Sequence, residues 1–101
     1  MISKTIIDTD KGQVARVTFT LPDSIWANSI YLVGDFNGWN ETLHPLQHTR
    51  EGSWMITLDL ELGRSYQFRY RVDGEWMNDG QADAYVQNPY GSYNFVITTN
   101  R

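Results

Sequence analysis

Four carboxylates crowd one stretch of the sequence, Asp73, Glu75, Asp79 and Asp83. Acid–base cleavage of a glycosidic bond needs two such groups facing each other across a cleft, about 5 to 9 Å apart. Asp73-Gly74 and Asp79-Gly80 both read as turn pairs, and a chain of 101 residues has room for one small core and no evident deep cleft. The chain is therefore expected not to be an enzyme. His44 and His48 have i, i+4 spacing, but Pro45 interrupts any regular helix between them and no third ligand is apparent, so no metal site is expected. Asp8-Thr9-Asp10-Lys11-Gly12 begins like a calcium loop yet lacks the third acidic position and the closing Glu, and reads as a turn. Cysteine is absent, which removes disulfides, thiolate metal sites and cysteine nucleophiles. No cofactor is implied.

The side chains left to do chemistry are aromatic. Four Trp, six Tyr and four Phe make up 14% of the chain, more rings than so small a core usually absorbs, so some are expected at the surface. Their setting is clearest in Arg69-Tyr70-Arg71-Val72-Asp73-Gly74-Glu75-Trp76-Met77-Asn78, where Asp-Gly is the preferred centre of a two-residue type I′ hairpin turn. That turn opposes Val72 to Glu75, Arg71 to Trp76, Tyr70 to Met77 and Arg69 to Asn78. Tyr70 and Met77 then point inward, and Arg69, Arg71, Trp76 and Asn78 share an outward, open face. An indole among cationic and amide groups suits a sugar, whose axial hydrogens lie on an aromatic face while its equatorial hydroxyls need in-plane donors and acceptors. The same arrangement also suits a ring that merely covers the hairpin, held by a cation–π contact with Arg71. Trp39, in a Gly- and Asn-rich turn, fits either an exposed binding ring or a loop anchor. Trp54 shares its parity with Ile56, Leu58 and Leu60 and belongs to the core. Trp26, beside Ile25, is expected to be partly buried.

Strands must position these residues. Turn-forming residues recur at Asp10-Lys11-Gly12, Pro22-Asp23, Gly34-Asp35, Asn37-Gly38, Glu51-Gly52, Leu62-Gly63, Asp73-Gly74, Asp79-Gly80 and Asn88-Pro89, leaving no interval for a helix of normal length beyond a short turn around Asn40 to Leu46. Between them, Ala15 to Leu21, Trp54 to Leu60 and Tyr66 to Val72 alternate with period two. Adding Ser29 to Val33, Glu75 to Asn78 and Tyr93 to Thr98 gives six or more short strands, which predicts a single all-β domain over 1–101, an immunoglobulin-like antiparallel sandwich. Eight Lys and Arg against twelve Asp and Glu give a net charge of −4, which disfavours nucleic acid and anionic membranes as partners. The N-terminal residues lack the apolar run of a signal peptide and no stretch reaches the roughly 20 apolar residues of a membrane span. A soluble, cytoplasmic chain is expected.

Four blocks in order carry a resemblance: Tyr31-Leu32-Val33-Gly34-Asp35-Phe36-Asn37-Gly38-Trp39; Gly52-Ser53-Trp54 with Leu58-Asp59-Leu60 and Gly63; Tyr66-Gln67-Phe68-Arg69-Tyr70-Arg71-Val72-Asp73-Gly74-Glu75-Trp76; and Asn88-Pro89-Tyr90-Gly91-Ser92-Tyr93-Asn94-Phe95-Val96. From about Val14 to Thr98 the chain resembles the family 48 carbohydrate-binding modules, which include the glycogen-binding domain of AMP-activated protein kinase beta subunits and the N-terminal early-set modules of isoamylase and branching enzymes. The resemblance implies a non-catalytic module that binds α-1,4-linked glucans such as glycogen, starch and malto-oligosaccharides. Carried over by position, the two sugar-holding Trp fall at Trp39 and Trp76, the basic residue that bonds hydroxyls at Arg69, the sugar-bonding Asn at Asn94 and the loop residue that presses on the glucan at Tyr90. Arg71 and Asn78 are accessory candidates from the hairpin parity. The sequence departs from the pattern at Asp79-Gly80, where many members have Asp-Pro, and in a longer connection from Leu43 to Glu51. Some members keep the fold without binding sugar, so the alternative is a protein-interaction or scaffold domain bracing or targeting a glucan-metabolising enzyme or kinase.

Overall fold

In a computed structural model that describes residues 2–77 and 82–100, the alternating segments become antiparallel strands. In chain order they are β1 (Ile2–Thr9), β2 (Gly12–Leu21), β3 (Ile30–Gly34), β4 (His44–Pro45), β5 (Gln47–His48), β6 (Trp54–Leu60), β7 (Ser65–Val72), β8 (Glu75–Met77), β9 (Ala84–Gln87) and β10 (Tyr93–Thr98). One sheet has the order β1-β2-β6-β5; the other runs β4-β3-β7-β10-β9, with β8 paired to β7. Together they form the antiparallel β-sandwich that the period-two pattern predicts. No helix among the described residues is long and apolar enough to cross a membrane.

The inward positions of the pattern form the core. Ala15, Val17, Phe19 and Leu21 of β2, with Trp54 and Leu60 of β6, meet Ile30 and Leu32 of β3, Tyr66, Phe68 and Tyr70 of β7, and Phe95 and Ile97 of β10. Phe19 meets Phe68 edge-on across the sheets, with centroids 5.3 Å apart, and Phe68 reaches Tyr70 and Phe95 at 5.7 and 5.5 Å in the same edge-on manner. Edge-to-face geometry places the positive rim of one ring on the negative face of the next. Trp54 is 4% exposed and lies flat on the His48 imidazole, 4.3 Å between centroids. His48 Nε2 donates in turn to the Gly52 carbonyl at 2.9 Å.

Several features differ from the sequence reading. The short helical turn comes earlier than Asn40, as a 3₁₀ turn over Asp35–Asn37, because Phe36 is drawn against Phe19 and Tyr66, 6.1 Å from each. The strands β1 and β9 carry mostly exposed side chains, so no apolar alternation marks them; backbone pairing with β2 and β10 forms them. Trp26 is not partly buried but 93% exposed. In the connection between β2 and β3 its neighbours Ile25 and Ala27 both pack on the core, which leaves the indole on the solvent side.

A polar clamp joins the two sheets near the start of β9. Lys4 Nζ on β1 donates to Asp83 Oδ2 at 2.7 Å and to the Thr98 carbonyl at 2.9 Å. Asp83 Oδ2 also accepts the Thr98 N–H at 2.8 Å and the Thr98 hydroxyl at 3.2 Å. Burial alone would raise the Asp83 carboxyl, but these bonds and the Lys4 charge outweigh it and hold it below the usual carboxylate range.

Two stability measurements follow from this packing. Trp54→Ala opens a cavity in the core and is expected to cost about 3–5 kcal/mol in urea unfolding, with an unchanged denaturant slope. A carboxyl lowered in the folded state contributes stability above its unfolded value, about pH 4, and that contribution is lost as pH falls through the lower folded value. Asp83→Asn is therefore expected to be less stable than wild type at neutral pH and to lose less stability on acidification below about pH 4, read by chemical denaturation across a pH series.

Candidate functional site

The strand β7 pairs with β3, β10 and β8, so its outward residues Gln67, Arg69 and Arg71 stand in the middle of a sheet. The type I′ turn forms as expected, with Asp73 at φ 48 and Gly74 at φ 84. It opposes Tyr70 to Met77, Arg71 to Trp76 and Val72 to Glu75. The Asp73 carboxylate accepts the N–H groups of Asn28 and Ser29, each at 2.9 Å, and ties the hairpin tip to the loop before β3. Asn78 and Asp79-Gly80 lie outside the described residues.

On the outer face Trp76 stands against both arginines, its ring centroid 4.5 Å from the Arg71 guanidinium carbon and 5.2 Å from that of Arg69. Arg71 also pairs with Glu41, Nε to Oε1 at 3.1 Å. The outer face is not open throughout, contrary to the reading from the hairpin: Arg69 is only 7% exposed, and Val33 and Val96 on the same face are buried. Trp39, Trp76 and the turn before β10 gather around Arg69, and the resulting desolvation lowers its pKa. A guanidinium starts from so high a value that it remains a cation.

Trp39 reaches this face through a tightly bonded turn. The Gly34 N–H donates to Asn37 Oδ1 at 3.1 Å, Asn37 Nδ2 donates to the Leu32 carbonyl at 3.0 Å, and the Trp39 N–H donates to the Gly34 carbonyl at 2.9 Å. Gly38 and Trp39 both adopt left-handed backbone, φ 64 and 59, which is uncommon for a bulky residue and needs such support. The indole N–H donates to Asp35 Oδ1 at 2.9 Å.

A second turn carries Tyr90, which is 93% exposed. Asn88 shapes it: its Oδ1 accepts the N–H groups of Tyr90 and Ser92 at 3.0 and 3.1 Å. Asn94, on β10, donates from Nδ2 to Gln67 Oε1 at 3.0 Å and accepts on Oδ1 from Asn88 Nδ2 at 3.3 Å.

These segments converge. Trp39, Arg69, Trp76, Tyr90 and Asn94 line one open depression of about 270 Å³, joined by Asn88 and Pro89. Arg71 supports Trp76 but does not line it. In the sequence Asn88-Pro89 reads as a turn that opens the fourth resemblance block; the side-chain amide of Asn88 gives it a further role that no spacing reveals. The described lining offers aromatic faces, amides and one cation, and no carboxylate or imidazole, which is equipment for holding a neutral polyhydroxyl ligand. The histidines are engaged elsewhere, His44 Nδ1 with Asn37 Nδ2 at 2.9 Å and His48 with Trp54 and Gly52.

Sequence comparison finds a match over residues 15–101 to the family described as the glycogen recognition site of AMP-activated protein kinase. A 1,4-alpha-glucan branching enzyme of Paramagnetospirillum magneticum is 33% identical over 84 residues, covering 79% of this chain and 10% of that enzyme. Its counterpart in Photobacterium profundum is 28% identical over 74 residues, 70% of this chain and 10% of the enzyme. The protein FLOURY ENDOSPERM 6, chloroplastic, of Oryza sativa subsp. japonica is 33% identical over 58 residues, 54% of this chain and 11% of that protein. The chain thus spans about a tenth of the length of these relatives.

The turn that carries Trp39 depends on a missing side chain. A Cβ on Gly34 would lie 2.6 Å from the Gln67 carbonyl oxygen, 2.8 Å from Phe68 Cβ and 2.9 Å from Phe36 Cζ. Its φ of −173° is open to any residue, so the obstacle is steric. Gly34→Ala is expected to destabilise by about 1–3 kcal/mol and to shift the Trp39 indole resonance. Gly38→Ala meets no atom within 4 Å and should cost only about 1 kcal/mol for its left-handed backbone; denaturant melts of the pair compare the two effects.

Proposed function

The chain belongs to the family of the glycogen recognition site of AMP-activated protein kinase, and from that premise we propose that it is a non-catalytic module that grips α-1,4-linked glucan chains between Trp39 and Trp76. The supporting observation is the convergence of Trp39 from the turn after β3, Arg69 and Trp76 from the β7–β8 hairpin, and Tyr90 and Asn94 from the turn before β10 and β10 itself, on one depression. Two indoles set on different elements suit a curved α-glucan, whereas a flat β-1,4 chain meets only one of them. Arg69 and Asn94 supply hydrogen bonds to hydroxyls, and Tyr90 presses on the chain from the rim. Each ring contact contributes on the order of 1–2 kcal/mol through buried apolar area, and each hydrogen bond about 0.5–1.5 kcal/mol net. Association entropy opposes these gains and leaves an affinity between roughly micromolar and millimolar.

The branching-enzyme relatives, of which the chain matches about a tenth, support a second reading. Here the same patch docks the module on a glucan-metabolising enzyme without touching sugar.

Calorimetry with glycogen, β-cyclodextrin and cello-oligosaccharides separates the two. The first two should bind and the last should not. Trp39→Ala and Trp76→Ala should each remove most of the affinity, and Arg69→Ala or Asn94→Ala should weaken it by about 1–3 kcal/mol. Arg71→Ala should weaken it less than Arg69→Ala. Absence of α-glucan binding at millimolar ligand would overturn the glucan reading in favour of the docking one.

A further inference from the structure

Two side chains that do not line the depression hold the ones that do. Asp35 spends both carboxylate oxygens on the site's frame: Oδ1 accepts the Trp39 indole N–H at 2.9 Å, and Oδ2 accepts the backbone N–H of Gln67 at 2.7 Å. The Gln67 side chain then accepts from Asn94 at 3.0 Å, Asn94 accepts from Asn88 at 3.3 Å, and Asn88 holds the N–H groups of Tyr90 and Ser92. An unbroken run of hydrogen bonds therefore links the Trp39 turn to the Tyr90 turn across the outer face of β7 and β10. Neither Asp35 nor Gln67 is among the residues that line the depression.

The chemistry of each link says what it does. An indole nitrogen is a donor only. Once its hydrogen is given to Asp35 behind it, the ring cannot turn to offer that N–H to a ligand, and its plane is fixed so that it presents a hydrocarbon face. The Asn94 amide has two N–H donors and an oxygen with two lone pairs. Gln67 takes one donor and Asn88 one lone pair, which leaves one donor and one acceptor, the complement of two adjacent hydroxyls. Without the Gln67 acceptor the amide could flip and exchange its donor and acceptor edges.

We propose that Asp35 and Gln67 are positioning residues of the glucan site, Asp35 fixing the plane of the Trp39 ring and Gln67 fixing which edge of Asn94 faces the sugar. This inference rests on the glucan-binding reading. It adds that the site is organised before the ligand arrives, which lowers the ordering entropy of binding.

Double-mutant cycles on the full chain, read by calorimetry with β-cyclodextrin and maltoheptaose, test it. Trp39→Phe keeps a ring and deletes the indole N–H, and Asp35→Ala deletes its acceptor. Each should weaken β-cyclodextrin binding about tenfold, and the double variant should lose little more than either alone. Gln67→Ala leaves its backbone N–H on Asp35 and should weaken binding several-fold, with no further loss in an Asn94→Ala background. Asp35→Asn has one oxygen for two N–H donors, the Trp39 indole and the Gln67 backbone, and should recover only part of the affinity that Asp35→Ala loses. Loss of ring positioning should also penalise the rigid cyclic ligand more than the adaptable linear one, a ratio that a general loss of stability would not move. The Trp39 indole N–H resonance should shift and lose its exchange protection in Asp35→Ala without any sugar present. Asp35 is exposed, so its variants should fold; if Asp35→Ala does not, Asp35→Asn and the Gln67 cycle carry the test. Binding by the wild type that survives Asp35→Ala and Gln67→Ala undiminished, or double variants whose losses are the product of the single ones, would overturn this inference and leave the glucan reading standing. Absence of binding by the wild type would remove both.

Discussion

Strand β7 has three paired neighbours, and the two-residue period of an extended chain obliges it to do two things at once. Tyr66, Phe68 and Tyr70 go inward and sit among the largest buried rings of the core, while Gln67, Arg69 and Arg71 go outward. The two sets cannot be moved independently. A slip of one residue in the pairing with β3 or β10 would place guanidinium groups in the core and phenyl rings on the site. Core packing therefore enforces the register of the outer face, and the outer face inherits the rigidity of the edge-on and tilted ring contacts among Phe19, Phe68, Tyr70 and Phe95.

The two turns that complete the candidate site are tied to that strand by different means. The turn after β3 is pinned from below by Phe36, which enters the edge of the core, and from the side by the Asp35 bond to the Gln67 N–H. Its close approach to β7 requires glycine at position 34. The turn before β10 has no comparable apolar anchor: Pro89, Tyr90 and Gly91 are exposed, and Asn88 holds the shape through its side-chain amide. Polar bonding does there what hydrophobic burial does on the other side.

Charge is handled in a similar way. The chain is acidic overall, with a net charge of −4, yet two arginines flank the Trp76 ring. Arg71 is neutralised by Glu41 at the rim, whereas Arg69 lies buried and keeps its cation at the cost of desolvation. Stacking a planar, weakly hydrated guanidinium against an indole reduces that cost and also stiffens the ring. The bland role of the Trp76–Arg71 contact, as a cover for the hairpin, and the proposed binding role are therefore compatible in one side chain.

The sequence by itself determined what depends on local geometry. Asp73-Gly74 at the centre of an alternating segment sets both the turn type and the pairing of Arg71 with Trp76, and strict alternation identified β2, β6 and β7 along with the burial of Trp54. The Gly- and Asn-rich turn by itself leaves Trp39 either a binding ring or a loop anchor, and only the family resemblance points to Tyr90 and Asn94; no local pattern brings these three near Trp76. Tertiary structure decided the rest. The strands β1 and β9 owe their existence to a neighbour's backbone and not to an apolar pattern, and Trp26 faces solvent because Ile25 and Ala27 take the inward positions. Parity correctly put Arg69 on the outer face, but whether an outer face is open depends on what folds over it, and besides the hairpin partner Trp76 the covering segments are the Trp39 turn and the turn before β10, both far from Arg69 in the chain. The bonds from Asp35 to Trp39 and from Gln67 to Asn94 have the same character: side-chain hydrogen bonds have short reach and strict angles, so they become legible only once the strands have set the distances.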